Sequence, residues 1–487
     1  FMIIQIARAG QDETLTEILF CGTVFFMHIP LDMDFCKKVS LPLAACWYVT
    51  MREGSQDMKV FAETLGCKVN QYETQAMLAL LEHEGFSLAE RAQDSDVILV
   101  NSCTVTAVSD HKVRQTLHRL RRNAPTAVLV LTGCMPQAFP EAARELTDAD
   151  IVLGNANRSR LPSYILDYLS SRQRIVDIVP HENGERFEPM QVEQFHERTR
   201  AFLKIEDGCN RFCSYCIIPY ARGRVRSKPL SDLEKELHKL GENGYREVVL
   251  TGINLSAYGQ DLGLHLCDAV EAACEAPGIA RVRLGSLEPE QMEDAVIARL
   301  ARQKKLCPQF HLSLQSGCDA TLRRMNRHYD TAEYRRIVGR LRASFDNASI
   351  TTDIMVGFPG ETEEEFRLSC DFAEEIGFAK VHVFPYSRRP GTVADRMEGQ
   401  LTNAVKEKRS AKMIALTQKT TDAFFRSQIG REEIVLFERL CAKNVWEGYT
   451  KNYTPVRVVS AVSLAGQERL VRLTEGSGDF CFGILLP

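Results

Sequence analysis

The stretch AFLKIEDGCNRFCSYC, residues 201–216, decides how the centre of this 487-residue chain is interpreted. It opens with a short apolar run typical of a buried strand. Three cysteines follow at spacings of four and three residues, namely Cys209, Cys213 and Cys216. Cysteines this close together in one loop predict a metal-binding site rather than a set of disulfides.

The spacing of these three cysteines favours an iron–sulfur cluster. A 4Fe-4S cluster is normally held by four thiolates, so three ligands leave one iron open for a small molecule. The alternative is a zinc site, which usually needs a fourth ligand with a second pair-like spacing. No such ligand lies nearby in the sequence. We therefore expect a cluster with one open iron.

Downstream of the cysteine loop, a pattern of strand followed by helix repeats along the chain. Strands are predicted at residues 201–206, 247–250, 281–284, 310–314, 350–356 and 380–384. Six parallel units of this kind fit a partial (βα)6 barrel better than a closed eight-fold barrel. A helix rich in Lys and Ala follows at residues 404–426. Residues 431–487 then alternate like the short antiparallel strands of a small β-barrel.

Upstream of the loop, a separate α/β region begins at Met58, which is a candidate natural start. Short apolar strands at residues 59–65, 96–100 and 127–132 alternate with helices, which predicts a parallel sheet. We therefore expect four segments. They are an extension of unknown role at 1–57 that lies outside the fold, an α/β domain at 58–170, a barrel core at 195–426 and a β-barrel at 427–487.

A second group of three cysteines is spread over the α/β domain. Cys67, Cys103 and Cys134 are separated by 36 and 31 residues, unlike any local ligand motif. Each occupies the first turn after a predicted strand, and such turns converge on one edge of a parallel sheet. The three thiols are therefore predicted to hold a second cluster. The alternative is three small residues in tight turns, helped by Gly66 and Gly133.

Composition places the chain among globular proteins of the reducing cytoplasm. Hydrophobic residues are 45%, charged residues 25% and the net charge is −4, which excludes a uniformly basic nucleic-acid binder. No apolar run is long enough for a membrane helix. The apolar stretch 18–29 follows acidic residues where a signal peptide would carry positive charge. Sixteen cysteines in such a chain indicate metal or redox ligands rather than bridges.

The spacing of the central cysteines resembles that of the radical S-adenosylmethionine (SAM) superfamily. Further motifs resemble the methylthiotransferases within it, and in particular the branch that acts on tRNA N6-threonylcarbamoyladenosine. These motifs are LGCKVNQYET, NSCTVTAVSDHKVRQ, LTGC, EDGCNRFCSYCIIPYARGRVRS, GSLEP, HLSLQSG, DIMVGFPGET and EGYTKNYTPVRV. They run in order from about residue 58 to about residue 460, and they leave residues 1–57 unexplained.

The resemblance implies two 4Fe-4S clusters and SAM as cofactors. Positions matching Cys67, Cys103 and Cys134 hold the auxiliary cluster in that family, and those matching Cys209, Cys213 and Cys216 hold the cluster that binds SAM. The other ten cysteines are then expected to be structural. The last domain resembles the TRAM module, an RNA-binding β-barrel. The chemistry would be carried by the two clusters, and no acid–base pair of side chains is required.

Loops after the barrel strands supply the expected contacts to SAM. The candidate residues are Tyr215, Thr251, Gly252, Ser286, Glu288, Ser313, Gln315 and Asp353. Each also has a simpler interpretation, because glycines often serve turns and Tyr215 would shield the cluster. The sequence does not assign individual atoms of SAM to these residues.

The implied reaction is methylthiolation of carbon 2 of N6-threonylcarbamoyladenosine at position 37 of tRNA. The expected partners are the anticodon stem-loop and an external electron donor, with no DNA and no membrane. Three alternatives stay open. They are a methylthiotransferase for isopentenyladenosine tRNA, one for an aspartate of a ribosomal protein, and a non-catalytic iron–sulfur RNA-binding protein.

Two basic strips are the expected sites of tRNA contact. Residues 111–122 carry five Lys/Arg and no acid, and Arg222, Arg224, Arg226 and Lys228 follow the central cysteines. Phosphates favour such strips, although a run of charge is more often a solvated helix face. Tyr449 and Tyr453, interleaved with cations, are expected to face unpaired bases. Removing residues 431–487 should then weaken tRNA binding and spare SAM cleavage.

Overall fold

The computed structural model describes residues 3–8, 14–20, 23–27, 58–190, 192 and 199–487. Among the first of these, β1 (Ile3–Arg8), β2 (Thr14–Phe20) and β3 (Thr23–Met27) form an antiparallel sheet of their own. The sequence analysis did not predict these strands. The remainder of the predicted extension 1–57 lies outside the described residues, and its dispensability stays a prediction.

A parallel sheet forms the core of the first α/β domain, as predicted. Its strands are β4 (Lys59–Thr64), β5 (Ser87–Leu88), β6 (Val97–Ser102), β7 (Val128–Gly133), β8 (Ile151–Leu153) and β9 (Ile175–Asp177). In this part of the chain they lie in the order β5-β4-β6-β7-β8-β9, and each neighbouring pair is parallel. Every residue of β6 and β7 is buried, because helices cover both faces of such a sheet.

Helices connect these strands and begin beside the cysteines. They are α1 (Lys68–His83), α2 (Ala107–Asn123), α3 (Cys134–Ala138), α4 (Pro140–Arg144) and α5 (Leu161–Ser171). The side chain of Thr106 caps α2 by accepting a hydrogen bond from the backbone N–H of Ser109 at 3.2 Å. Helix α1 starts at Lys68, with Cys67 at its N-cap.

The central domain is an open, parallel barrel. Its strands and the short pair beside the cysteine loop are β10 (Arg200–Lys204), β11 (Glu206–Asp207), β12 (Arg226–Ser227), β13 (Glu247–Thr251), β14 (Arg281–Leu284), β15 (Ser286–Leu287), β16 (Gln309–Leu312), β17 (Ser349–Val356) and β18 (Lys380–Pro385). One parallel sheet is β10-β13-β14 and the next is β15-β16-β17-β18. Gly285 alone separates β14 from β15, so the two sheets continue each other as the predicted partial barrel.

Helices pack on the outside of these strands. They are α6 (Ile218–Arg222), α7 (Leu230–Glu242), α8 (Leu266–Glu275), α9 (Asp294–Ala301), α10 (Asp319–Arg324), α11 (Thr331–Ser344), α12 (Glu363–Ile376) and α13 (Asn403–Gln428). A capping box of Thr362 and Glu365 begins α12, and Gly377, at φ +64°, ends it. Among the described residues, no helix is both long and apolar enough to cross a membrane.

The C-terminal domain is a small closed β-barrel, as predicted. Its strands are β19 (Glu432–Ala442), β20 (Val445–Tyr449), β21 (Pro455–Val459), β22 (Glu468–Ser477) and β23 (Phe480–Leu485), closed in the order β19-β20-β21-β23-β22. Phe437, Val456 and Val471 fill its centre, and Phe425 from the end of α13 packs into the same core. The apolar contact joins this domain to the central barrel.

One continuous core unites the α/β domain with the central barrel. Val60 and Tyr72 of the first domain pack in the same apolar cluster as Ala201 and Leu233 of the second. The Tyr72 hydroxyl also donates to Glu236 at 2.8 Å across this boundary. The two sets of cysteines are therefore carried on domains that are firmly packed together.

Candidate metal centres and a shared cavity

The structure places Cys67, Cys103 and Cys134 at the carboxyl ends of three neighbouring parallel strands. Cys103 directly follows β6, and Cys134 directly follows β7. Cys67 follows β4 by three residues and caps α1. Since β4, β6 and β7 are adjacent in the sheet, the three thiols share one edge.

Glycines allow these cysteine loops to approach each other closely. A Cβ on Gly66, at φ +137°, would lie 2.9 Å from the Cβ of Cys103. A Cβ on Gly133, at φ +102°, would lie 2.4 Å from the Ser102 carbonyl oxygen. A larger residue at either position would push the loops apart.

Hydrogen bonds hold two of these three thiols in place. The fully buried Arg222 donates from Nε to the Cys134 Sγ at 3.2 Å. The Cys67 Sγ donates to the Asn70 side-chain oxygen at 3.2 Å. Burial raises the pKa of Cys134 to about 12, against the opposing effect of the Arg222 charge. A cation beside a buried thiol is the environment expected for a thiolate metal ligand.

The second set of cysteines lies in the loop between β11 and β12. Gly208, at φ +84°, turns the chain where a Cβ would lie 2.0 Å from the Arg224 carbonyl oxygen. The Cys209 N–H then donates to the Gly223 carbonyl at 3.0 Å, which closes the loop. Arg327 donates from Nη1 to the Cys213 Sγ at 3.2 Å. This set, too, combines close thiols with a buried guanidinium.

The donor atoms of both sets fit iron–sulfur clusters. All six cysteines are free thiols. Within the described residues, no three His, Cys, Asp or Glu side chains are close enough for a single metal ion. Three thiolates in each set are the donor atoms by which proteins hold iron–sulfur clusters, with each thiolate on a different iron atom.

Unpaired polar atoms beside Cys209 leave room for a ligand at the second set. Asn254 donates from Nδ2 towards the Cys209 Sγ at 3.9 Å, while its Oδ1 has no described partner. Glu206 is fully buried and accepts from the Asn254 N–H at 2.7 Å through Oε2, but its Oε1 is also without a described partner. Buried groups left in this way usually bind a ligand or water.

A buried ionic network connects the two sets of cysteines. Arg222 contacts Glu73 at 2.6 Å and Asp207 at 3.1 Å. Arg158 and Lys204 pair with the same Glu73 at 2.8 and 2.7 Å. Burial by itself would raise the pKa of Glu73, but Arg158, Arg222 and Lys204 lower it below its usual range. Glu73 lies six residues after Cys67, and Asp207 lies two before Cys209.

This network corrects the prediction of a tRNA-binding strip after the central cysteines. Arg222 is fully buried, and Arg226 and Lys228 are 6% and 2% exposed. Arg226 pairs with Asp207 at 3.2 Å, and Lys228 pairs with Glu236. Their charges neutralise buried carboxylates and are unavailable to phosphates. Arg224 is exposed and stacks over Phe212 at 4.7 Å.

The other predicted strip, on α2, keeps a cationic exposed face. Lys112, Arg114 and Arg122 are exposed and make no ion pair with a described residue. Arg119 pairs with Glu63 at 2.6 Å, and Arg121 pairs with Asp150 at 2.5 Å. Three of the five charges on α2 therefore stay available for a polyanion.

A cavity of about 680 Å³ lies where the three domains meet. The first domain contributes Gly66, Cys67 and Lys68 to its wall, and the C-terminal barrel contributes Tyr449, Asn452 and Tyr453. The inner face of the central barrel supplies most of the rest, including His311 and Asp353, whose side chains approach to 3.3 Å. The volume is in the range typical of sites for small molecules and flipped-out nucleotides.

Four of the eight residues predicted to contact SAM line this cavity: Thr251, Gly252, Ser286 and Asp353. The other four do not. Glu288 pairs with Arg327, and the Ser313 carbonyl accepts from the same Arg327 at 3.2 Å. Gln315 adopts φ +67°. Tyr215 packs edge-on against Phe358 at 6.4 Å. Contact of these residues with SAM stays a prediction.

The tyrosines of the C-terminal barrel join domains as well as lining the cavity. Tyr449 and Tyr453 stack on each other at 4.6 Å, and the Arg200 guanidinium lies 5.0 Å from both rings. Arg283 lies 4.6 Å from the Tyr453 ring. Packing against these arginines therefore accounts for much of the surface of the two tyrosines.

Sequence reasoning did not identify Glu73, Arg327, Lys68 or His382 as site residues. Glu73 and Lys68 lie inside LGCKVNQYET, but a charge within a motif does not reveal its partner. His382 alternates with Lys380 and Phe384 along β18. The period of two in such a strand was a usable signal for residues that face the barrel interior.

Comparison with known proteins agrees with this geometry. Residues 203–373 match the radical SAM superfamily, and residues 59–154 match the uncharacterized protein family UPF0004. The chain is 38% identical over 402 residues to the threonylcarbamoyladenosine tRNA methylthiotransferase MtaB of Bacillus subtilis, which covers 81% of this chain and 88% of that protein. The chain belongs to the methylthiotransferase family of radical SAM enzymes.

Other relatives of this methylthiotransferase differ in the substrate that their names give. A protein of the same name from Thermotoga maritima is 38% identical, over 80% of this chain and 89% of its own. The tRNA-2-methylthio-N(6)-dimethylallyladenosine synthase of Pelotomaculum thermopropionicum is 35% identical, over 77% of this chain and 85% of its own. These identities establish the family. Relatives named for the two different tRNA substrates are almost equally similar to this chain, at 38% and 35% identity.

Solved structures share the fold at low sequence identity. The radical SAM methyltransferase TsrM from Kitasatospora setae, with cobalamin and a [4Fe-4S] cluster bound, aligns with a TM-score of 0.52 and 15% identity. The alignment covers 70% of this methylthiotransferase and 74% of TsrM. This likeness supports the arrangement of the α/β domain and barrel.

Proposed function

We propose that this methylthiotransferase adds a methylthio group to carbon 2 of N6-threonylcarbamoyladenosine at position 37 of tRNA. The observation that carries this proposal is the 38% identity to the Bacillus subtilis threonylcarbamoyladenosine tRNA methylthiotransferase over 88% of that protein. The cavity between the three domains supports it, because Cys67 and the inner face of the barrel line the same space, where a nucleotide would contact both. A tRNA substrate also implies a cytoplasmic location.

Two 4Fe-4S clusters are part of the proposal. Cys67, Cys103 and Cys134 would hold the auxiliary cluster, and Cys209, Cys213 and Cys216 would hold the cluster that binds SAM. When bound, this second cluster and SAM supply a radical reactive enough to activate an aromatic C–H bond. An external reductant supplies the electron.

The residues of the chain position and shield this chemistry. Arg222 and Arg327 donate to Cys134 and Cys213, and so fix one thiol of each set while offsetting its negative charge. The ionic network around Glu73 links the elements that carry the two sets of cysteines. None of these steps requires a side chain as acid or base.

The test uses reconstituted, reduced protein with SAM and anticodon stem-loops that carry either threonylcarbamoyladenosine or isopentenyladenosine. We expect the methylthio group on the first RNA only, detected by mass spectrometry of the digested nucleosides. Methylthiolation of the isopentenyl RNA alone would assign the enzyme to the other branch. SAM binding without any cleavage or product would favour the non-catalytic RNA-binding alternative.

A further inference from the structure

Several polar side chains lie together on the inner face of the central barrel where it lines the cavity. Alternate residues of each strand point inward, so Gln309 and His311, Thr351 and Asp353, and His382 face the same space. His311 is held by Thr351 at 3.0 Å and by Asp353 at 3.3 Å. His382 lies next to it, with ring centroids 5.9 Å apart. These side chains offer hydrogen-bond partners to a polar substituent.

Lys68 lines the same cavity. It is the first residue of α1, directly after Cys67, and its side chain is exposed. It makes no ion pair with any residue in the described part of the chain, and its one close ring contact is with Phe202 at 5.9 Å. A cation in a cavity without a carboxylate partner is a site for an anionic group.

The other charges near Lys68 already have partners. Arg283 pairs with Glu247 at 3.0 Å, and Arg200 pairs with Glu438 at 2.8 Å. Lys380, at the rim of the same cavity, pairs with Asp479 at 3.5 Å. The Asp353 carboxylate lies 3.3 Å from the His311 Nε2. Lys68 is therefore the cavity lysine whose charge is left for a ligand among the described residues.

We propose that Lys68 binds the carboxylate of the amino acid attached to N6 of the substrate adenine, with His382 beside it as a second polar contact. This inference rests on the proposed function and deepens it. An N6-threonylcarbamoyl group ends in a carboxylate, whereas an isopentenyl group is a hydrocarbon. Lys68 thus selects between the two tRNA substrates, and it holds the modified base next to Cys67.

The test measures binding rather than turnover, with reconstituted full-length enzyme and no SAM. Fluorescence anisotropy compares an anticodon stem-loop that carries threonylcarbamoyladenosine with the same RNA as its uncharged methyl ester. We expect wild-type enzyme to bind the acid about 10- to 100-fold more tightly, the range for one hydrogen-bonded charge. Lys68→Met should bring the two affinities to within about two-fold, and Lys68→Arg should keep most of the preference.

Lys235→Met is the control, because it removes the same charge from a lysine of α7 that pairs with Asp232 at 3.2 Å and does not line this cavity. It should keep the full preference for the acid. A Lys68→Met enzyme with unchanged preference would overturn the inference, and so would a wild-type enzyme that binds acid and ester equally. The comparison of acid and ester with wild-type enzyme needs no variant, so it tests the inference even if Lys68→Met fails to fold.

The outcomes separate the inference from the proposed function. A wild-type enzyme that methylthiolates the threonylcarbamoyl RNA while Lys68→Met keeps its preference contradicts only the role of Lys68. A wild-type enzyme that methylthiolates only the isopentenyl RNA contradicts the proposed substrate, and the role of Lys68 with it.

Discussion

Arg222 carries its charge inside the protein, where it contacts Cys134, Glu73 and Asp207. Removing one partner from a buried ion pair leaves the others uncompensated, at a cost of roughly 3–5 kcal/mol. Arg224, two residues later, is exposed and only stacks on Phe212. The two arginines thus form a natural pair for comparison at the scale of single residues.

We expect Arg222→Met to lower the free energy of unfolding by roughly 3–5 kcal/mol. Arg224→Met should lower it by about 1 kcal/mol or less, since an exposed cation–π contact contributes little. Denaturation in guanidinium chloride under anaerobic conditions measures both. Equal effects of the two substitutions would show that the ionic network around Glu73 does not hold the domains together.

A second prediction at this scale concerns the six cysteines. Replacing Cys67, Cys103 and Cys134 together by Ala should halve the iron content from about eight to about four atoms, and formation of 5′-deoxyadenosine should stay measurable. Replacing Cys209, Cys213 and Cys216 should remove the other half and all SAM cleavage. Cys441→Ala, at an exposed cysteine, is the control and should keep all iron. Full iron content in the first triple variant would refute the auxiliary site.

At the scale of elements, α2 presents the cationic face that the structure leaves available. Replacing Lys112, Arg114 and Arg122 by Gln should reduce the slope of log affinity against log salt for tRNA by about 0.7 to 0.9 per lost phosphate contact. The control replaces three arginines of α11, Arg335, Arg336 and Arg340, which already pair with Glu375 and Asp294. An unchanged slope in the α2 variant would place the tRNA elsewhere.

Most strands of the two α/β domains could be predicted because buried parallel strands are nearly continuous apolar runs. Predicted and observed strands of the central barrel agree to within two residues, as at Glu247–Thr251 and Lys380–Pro385. The strands Ser87–Leu88 and Ile151–Leu153 were missed, since two or three residues carry no period. The positions of Cys67, Cys103 and Cys134 after strands could also be predicted from the sequence.

What the sequence did not reveal is which charges meet. Arg222 and Arg226 have the same local composition as an exposed strip, and only the fold shows that Glu73 and Asp207 lie opposite them. For the same reason, the cavity residues Lys68 and His311 were not grouped, because they come from different domains. Burial and pairing depend on long-range packing, which a local pattern does not encode.

At the scale of the whole molecule, the C-terminal barrel is part of the wall of the cavity. Arg281 and Arg283 are buried and donate to the carbonyls of Tyr449 and Lys451 at 3.0 Å each. Buried Asn452 donates to the Asn347 carbonyl at 3.2 Å. Deleting this domain would expose these charges and Phe425, so the expectation that deletion spares SAM cleavage has to be revised.

We expect deletion of residues 431–487 to lower the melting temperature of the remaining chain and to impair SAM cleavage as well as tRNA binding. Deletion of residues 1–57 should leave melting temperature, iron content and tRNA affinity unchanged, because the strands at residues 3–27 form a separate sheet. Thermal denaturation of the full chain and of the two truncated chains measures these changes in stability. A large loss of stability on deletion of residues 1–57 would contradict the predicted domain boundary at residue 58.

The most direct measurement of the central claim is mass spectrometry of tRNA nucleosides from cells with and without the gene. We predict that loss of the gene removes the 2-methylthio group from threonylcarbamoyladenosine and leaves isopentenyladenosine derivatives unchanged. The intact gene should restore it, and a version encoding Cys134→Ala should not. If 2-methylthio-threonylcarbamoyladenosine persists while the isopentenyl derivative disappears, the account is contradicted.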